Sequence, residues 1–160
     1  MTERELNHII ASSLSWSFKI PDGPYLKGVN PYDGYGIFKP SDEVDGIPVY
    51  WESKNIKKPA AFNFNDLALH QINNLRACKA ACKHSLSIFL ICVDYGRKNK
   101  RVFVFKDPNY IYQRKINKKN ILKKEFDKRR NFVLIKNQHI DFNEILEMPA
   151  EWEYEEEGTK

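Results

Sequence analysis

Apolar and polar positions along this chain repeat with two different periods, and the switches between them outline the elements. From Glu3 to Leu14, Leu6, Ile9, Ile10, Ser13 and Leu14 return at steps of three and four, which places one stripe on a helix. Trp16-Ser17-Phe18-Lys19-Ile20 alternates with period two, the pattern of a strand, and Pro21-Asp22-Gly23-Pro24 stops it. Residues 21–34 are dense in Pro, Gly and Asn and form a loop that delivers Asp33 to a strand at Gly34–Phe38. A second turn-rich stretch, Pro40–Gly46, joins that strand to another at Ile47–Asn55. The two make a hairpin with a loop of about seven residues.

A helix follows, capped by Asn63 or Asn65 and running to about Lys83, with Phe64, Ala68, Gln71, Leu75, Cys78 and Cys82 on one face. Leu86–Val93 is apolar at nearly every position, as in a central strand covered on both sides. Arg101–Lys106 alternates and is its expected neighbour. A basic helix near Lys118–Lys128 and a short strand at Phe132–Ile135 complete the series. A hairpin, a helical crossover and a buried strand cannot be built as a helical bundle. The order therefore predicts an α/β domain with a mixed β-sheet flanked by helices. One domain spans residues 1–146, and residues 147–160 form an acidic, flexible tail.

Composition narrows the class. A chain of 160 residues that is 42% hydrophobic has enough apolar side chains for a core, which excludes wholesale disorder. Its longest apolar run, Leu86–Val93, is far short of the roughly 18–20 residues of a membrane span, and no basic-then-apolar leader opens the chain. Three cysteines without framework spacing fit a reducing compartment. The expectation is a soluble protein of the cytoplasm, bacterial or bacteriophage, with no membrane partner. The net charge of +5 hides an asymmetry: residues 97–130 hold 14 Lys/Arg against three acids, and residues 141–160 hold eight acids against one lysine. The basic block fits either a phosphate-backbone surface or a solvated helix face.

Three places carry candidate chemistry: Asp33, the tripeptide Glu52-Ser53-Lys54, and His70-Gln71. Residues two apart on a strand share a face, so Glu52 and Lys54 project together with Tyr50, while Trp51 and Ser53 face the core. Asp33 on the adjacent strand brings a second carboxylate toward Glu52. Two such carboxylates seat a hard divalent cation, since magnesium takes oxygen ligands and keeps several waters. A lysine beside it can hold the attacking water or offset charge on a phosphate oxygen. The bland alternative is a Glu52–Lys54 surface ion pair. Gln71, polar on an apolar stripe, must find a buried partner, a strand carbonyl or the site itself. His70 lies off the stripe, as a helix-surface residue or a phosphate contact. Glu3 and Glu5 either stabilise a helix start or contribute to the site. Cys78 and Cys82 have no second ligand pair for zinc and belong to the core.

The combination Pro31-Tyr32-Asp33, then Val49-Tyr50-Trp51-Glu52-Ser53-Lys54, resembles the PD-(D/E)XK nuclease core. Phe62-x-Phe64-x-x-Leu67-x-x-His70-Gln71-Ile72-x-x-Leu75, with Ser87-Ile88-Phe89-Leu90-Ile91 and Ile140-Asp141-Phe142, is similar to RecU-type Holliday-junction resolvases. The resemblance covers roughly residues 30–146. It implies a restriction-endonuclease-like core in which Asp33 and Glu52 bind Mg2+ (or Mn2+), Lys54 positions the water, Gln71 supports the site and Glu3 completes it. It further implies a homodimer acting on branched or four-way-junction DNA in recombination or repair. Lys57, Lys58, His70, Arg97, Lys98 and Lys100 are the candidate DNA contacts. This chain departs from the family between the early strands, where only about Pro21–Tyr32 replaces a long junction-entering projection. The loop Lys39–Gly46, with Asp42, Glu43 and Asp45, is longer. Two other functions remain open: a nuclease of the same superfamily for ordinary duplex or flap DNA, and a non-catalytic DNA-binding protein.

Overall fold

The computed structural model describes residues 1–19 and 33–150. Its elements are α1 (Glu3–Ser12), β1 (Trp16–Lys19), β2 (Gly34–Phe38), β3 (Ile47–Ile56), a single 3-10 turn (Phe64–Asp66), α2 (Leu69–Ala81), β4 (Leu86–Asp94), β5 (Lys100–Phe105), α3 (Pro108–Ile116), α4 (Lys123–Lys128), β6 (Phe132–Leu134) and α5 (Phe142–Glu147). The six strands form one sheet in sequence order. Every neighbouring pair is antiparallel except β3 and β4, which are parallel because α2 carries the chain back to the starting end between them. This is the expected α/β architecture, a mixed sheet with helices on both faces.

The pleat divides two cores. Leu6 and Ile10 of α1, Trp51, Leu90 and α5's Phe142 and Ile145 fill one side of the sheet. Ile72 and Leu75 of α2, Phe89, Phe103, Ile111 of α3 and Phe126 of α4 fill the other. β4 lies between the two layers, so its residues from Leu86 to Val93 are all buried, as the continuous apolar run predicts. No described helix is long and apolar enough to cross a membrane.

Three expectations are corrected. Asn63 caps the single turn, accepting from the Asn65 amide (2.9 Å), and extended residues at Leu67 and Ala68 delay the helix to Leu69, so Phe64 is not on it. That helix buries Ile72 and Leu75, whereas Cys78 and Cys82 are only half-buried. Of the basic helix expected over 118–128 only the short α4, Lys123–Lys128, forms, and an unexpected helix, α3, started by Asp107 as cap and Pro108 in its first turn, precedes it. Between them Lys118 takes a left-handed φ of 53° and Ile121 pairs with Phe62, both incompatible with a continuous helix. Near the end, α5 forms where no helix was expected, and Lys106 Nζ donates to the Met148 carbonyl (2.7 Å), holding the chain against the core beyond residue 146. The shortened projection and the acidic tail from residue 151 lie outside the described residues.

Candidate active site

The register of β2 on β3 assembles the site. Gly34 pairs with Trp51, and the Asp33 amide donates to the Trp51 carbonyl (2.9 Å), so Asp33 stands opposite Glu52 at the end of β2. Glycine is required beside it: a Cβ at position 34 would fall 2.4 Å from the Trp51 ring, which lies across β2. The period of β3 then splits its side chains as expected. Trp51 and Ser53 turn toward α1, and Tyr50, Glu52 and Lys54 toward α2.

On the α1 side a buried polar chain fixes Asp33. Its Oδ2 accepts from the Ser53 amide (2.8 Å) and from Ser53 Oγ (3.1 Å). Ser53 Oγ also lies 2.7 Å from Asn7 Oδ1, so its one proton is shared between two acceptors. Asn7 Oδ1 accepts from Trp51 Nε1 as well (3.0 Å). Asn7 is a residue that sequence reasoning passed over. The signal was present, because it sits on the apolar stripe of α1 four residues after Glu3 and three before Ile10. A buried amide there needs partners.

On the α2 side Glu52 is 1% exposed. Its Oε1 accepts from Gln71 Nε2 (2.7 Å) and lies 3.8 Å from Lys54 Nζ. Its Oε2 is buried with no hydrogen-bond partner. Gln71 is itself oriented, since its Oε1 accepts from the Ala68 amide at the start of α2 (3.0 Å). Burial, then the charge of Asp33, pushes the Glu52 carboxyl up to about 8, with Glu3 adding to the rise. Lys54 and the Asp33 backbone amide oppose it without prevailing. Glu3 therefore stands within electrostatic reach, exposed on the first turn of α1. Glu5 is spent on the helix start: it accepts from the Thr2 amide (2.6 Å) while Thr2 Oγ1 accepts from the Glu5 amide, and the first of these bonds lowers its pKa.

Several cations rim this end of the sheet. β3 and β4 run parallel, so their carboxyl ends lie together. Lys57 and Lys58 are exposed just past β3, Arg97 and Lys98 are exposed in the β4–β5 turn, and Lys100 opens β5. His70 is half-buried in the first turn of α2. The rest of the basic block is no single face. Arg101 stacks over Tyr95 and Phe132, Lys115 donates to the Phe64 carbonyl, and Arg114 and Lys123 pair with Glu125 and Asp127. A groove of about 710 Å³ between α3 and α4 is lined by Arg114, Lys118, Lys119, Lys124, Lys128 and Arg129.

Among the described residues no group of three or more His, Cys, Asp and Glu gathers as a metal cluster. A hard cation would be held by two carboxylates, Glu52 through its unpartnered oxygen and Asp33, with water and backbone oxygen completing its shell. The donor set fits magnesium and excludes a soft, thiolate-bound ion. No family model matches the chain, and no curated protein matches its sequence. The chemistry of the site carries the functional argument by itself: a desolvated acid, a neighbouring acid, an ammonium and a cationic rim suit a phosphate ester.

Proposed function

We propose that this chain is a magnesium-dependent DNA endonuclease with a restriction-endonuclease-like core, of the kind the RecU-type resolvases represent. One observation carries the reading: Glu52, enclosed and held at Oε1 by Gln71, leaves Oε2 without a protein partner beside Asp33 and Lys54. A carboxylate buried that way costs stability unless something neutralises it. A bound Mg2+, or Mn2+ in its place, would activate water and balance charge on the phosphate oxygens. Lys54, on the same face of β3 as Glu52, orients that water and receives the phosphate. Gln71 keeps the Glu52 plane fixed, the Asn7–Ser53 chain keeps Asp33 in place, and Glu3 modulates the site from α1. Water adds to phosphorus as one ester oxygen leaves.

DNA arms lie along Lys57, Lys58, Arg97, Lys98 and Lys100, with His70 contacting backbone from α2. Two copies acting together would cut a four-way junction symmetrically, in the cytoplasm of a bacterial or phage-infected cell. The test is digestion of synthetic four-way junctions and linear duplex in Mg2+, with Glu52→Gln in parallel. Junction cutting that is lost in the variant, while DNA binding remains, is the expected result. Equal rates on both substrates would move the reading to a duplex or flap nuclease. Unchanged cutting by Glu52→Gln would remove it altogether.

A further inference from the structure

The sheet face that carries Glu52 does not stop at the carboxylates. Register places Phe18 opposite Tyr35 and Tyr35 opposite Tyr50, so three rings form one cross-strand row over β1, β2 and β3. Tyr50 precedes Glu52 by two residues, which puts this row on the same face as Glu52 and one step, about 7 Å, away from it. Trp16, opposite Ile37, adds the next step. Phe18 and Trp16 both lean on Tyr35, with ring centroids 5.5 and 5.9 Å away. Neither is covered: Trp16 is 55% exposed and Phe18 47%. α1 packs against the opposite face of β1 and β2, as Leu14 beside Gly36 shows.

We propose that this aromatic shelf stacks unpaired nucleobases flanking the phosphate held at Asp33 and Glu52. The inference rests on the nuclease reading for its position and narrows the substrate to DNA with unpaired or splayed nucleotides. Three observations favour bases over a second copy of the chain. The two open rings present on the order of 200 Å², well below the roughly 800 Å² per partner of a stable dimer. The row runs into Glu52, with the part-buried Lys54 one step beyond it, and the exposed Lys39 follows β2 at the other end. Exposed rings with a cation near each end are the elements of a single-strand platform, on which bases stack whatever their sequence.

The experiment measures binding by fluorescence anisotropy in chelator, where no cleavage occurs. It uses a blunt duplex and the same duplex carrying an unpaired thymidine tail. The proteins are the full chain, Trp16→Ala/Phe18→Ala and Trp16→Leu/Phe18→Leu. The alanine pair should lose roughly tenfold to a hundredfold in affinity for the tailed DNA and stay within about twofold on the blunt duplex. The leucine pair, apolar but without π-faces, should not restore tail binding. Equal losses on both DNAs, no loss, or full rescue by leucine each overturn the proposal. So does sedimentation showing that the substitutions dissociate a dimer, which would make the shelf a subunit contact. Cleavage in Mg2+ is scored separately. Tail-selective binding that depends on the shelf in a protein that never cuts would sink the nuclease reading and leave the shelf standing.

Discussion

Glu52, a buried residue of β3, and Glu125, a partly exposed residue of α4, are both acids beside cations, and they end in opposite states. In the α3–α4 lobe, Glu125 receives both arms of Arg114 (3.1 and 2.9 Å) and the Leu122 amide (2.8 Å), with Arg129 at 3.9 Å. Burial, the largest single influence, would raise its pKa, but the hydrogen bonds from Arg114 and Leu122 and the charges of Arg114 and Arg129 together outweigh it, and the carboxyl is held below its usual value. Midway along β3, Glu52 receives one amide donor and a lysine no nearer than 3.8 Å, and its pKa goes up to about 8. Deeper burial and the charge of Asp33 make much of the difference, and donor geometry adds to it. Arg114 approaches from a facing element with a planar fork, whereas Lys54 shares a strand with Glu52 and offers a single point charge alongside it. The lobe neutralises its acid with its own residues. At β3 the protein gives Glu52 no comparable partner, and under the nuclease proposal a bound cation would supply that charge.

Replacing each acid by its amide should therefore move stability in opposite directions. A carboxyl whose pKa is raised on folding binds more protons in the native than in the unfolded state. The stability of the metal-free protein should then fall as pH rises from about 4.5 to about 8, by up to about 1.4 kcal/mol per pH unit. Glu52→Gln removes that slope and should raise the denaturation midpoint at pH 8 in chelator. Glu125→Gln should lower it by about 1–2 kcal/mol at neutral pH, the modest end for charged hydrogen bonds because water partly screens the pair. With its folded pKa depressed, the contribution of Glu125 is present above the unfolded value and lost as pH falls through the folded one, so the deficit should close in acid. Urea titrations of both variants, carried from acid well below pH 4.5 up to pH 9, measure this. A destabilised Glu52→Gln at pH 8 would break the comparison.

How far these regions were legible in the sequence differs for the same physical reason. Glu52 and Lys54 lie two apart on one strand, so their shared face followed from strand geometry alone, and the position of Asp33 opposite Glu52 followed from the hairpin. Leu86–Val93 announced a strand buried on both sides. In the α3–α4 lobe the basic run marks a helix over 118–128 of which only Lys123–Lys128 forms, while the start signal Asp107-Pro108 marks the helix before it. What broke the helix, the left-handed Lys118 and the Phe62–Ile121 bridge, depends on a partner 59 residues earlier in the chain. The Asn7 connection was hidden likewise: its place on the α1 stripe was local, but Ser53 and Trp51 as partners required the sheet.

The site's buried side can be tested through its smallest residue. Gly34→Ala would put a methyl 2.4 Å from the fully buried Trp51 ring, and that ring is tied through Nε1 to Asn7. Overpacking of this kind costs about 3 kcal/mol, and the displaced strand would carry Asp33 away from Ser53. Denaturant unfolding should show the loss, and cleavage should fall with it. Gly96→Ala is the contrast, since nothing lies near a Cβ there and only its φ of 113° opposes the change. It should cost stability by backbone strain while leaving cutting intact.

The smallest effect belongs to the cations that serve neither fold nor chemistry. Lys98 is exposed in the β4–β5 turn, where Gly96 and Asn99 close the backbone and Arg97 is also exposed. Its side chain supports no packing, so Lys98→Ala should change the unfolding free energy by no more than about 0.5 kcal/mol. If it meets a phosphate, its removal should reduce the slope of log affinity against log salt by about one, uniformly across DNA sequences. Arg114→Ala makes the opposite pair of changes, because its donors are already taken by Glu125 and by the Lys119 and Asn120 carbonyls. It should destabilise the fold, while the salt slope of the folded fraction stays where it was. Affinity measured at four salt concentrations for both variants separates cations that face DNA from cations that face the protein. A flat slope for Lys98→Ala would withdraw the β4–β5 turn from the binding surface.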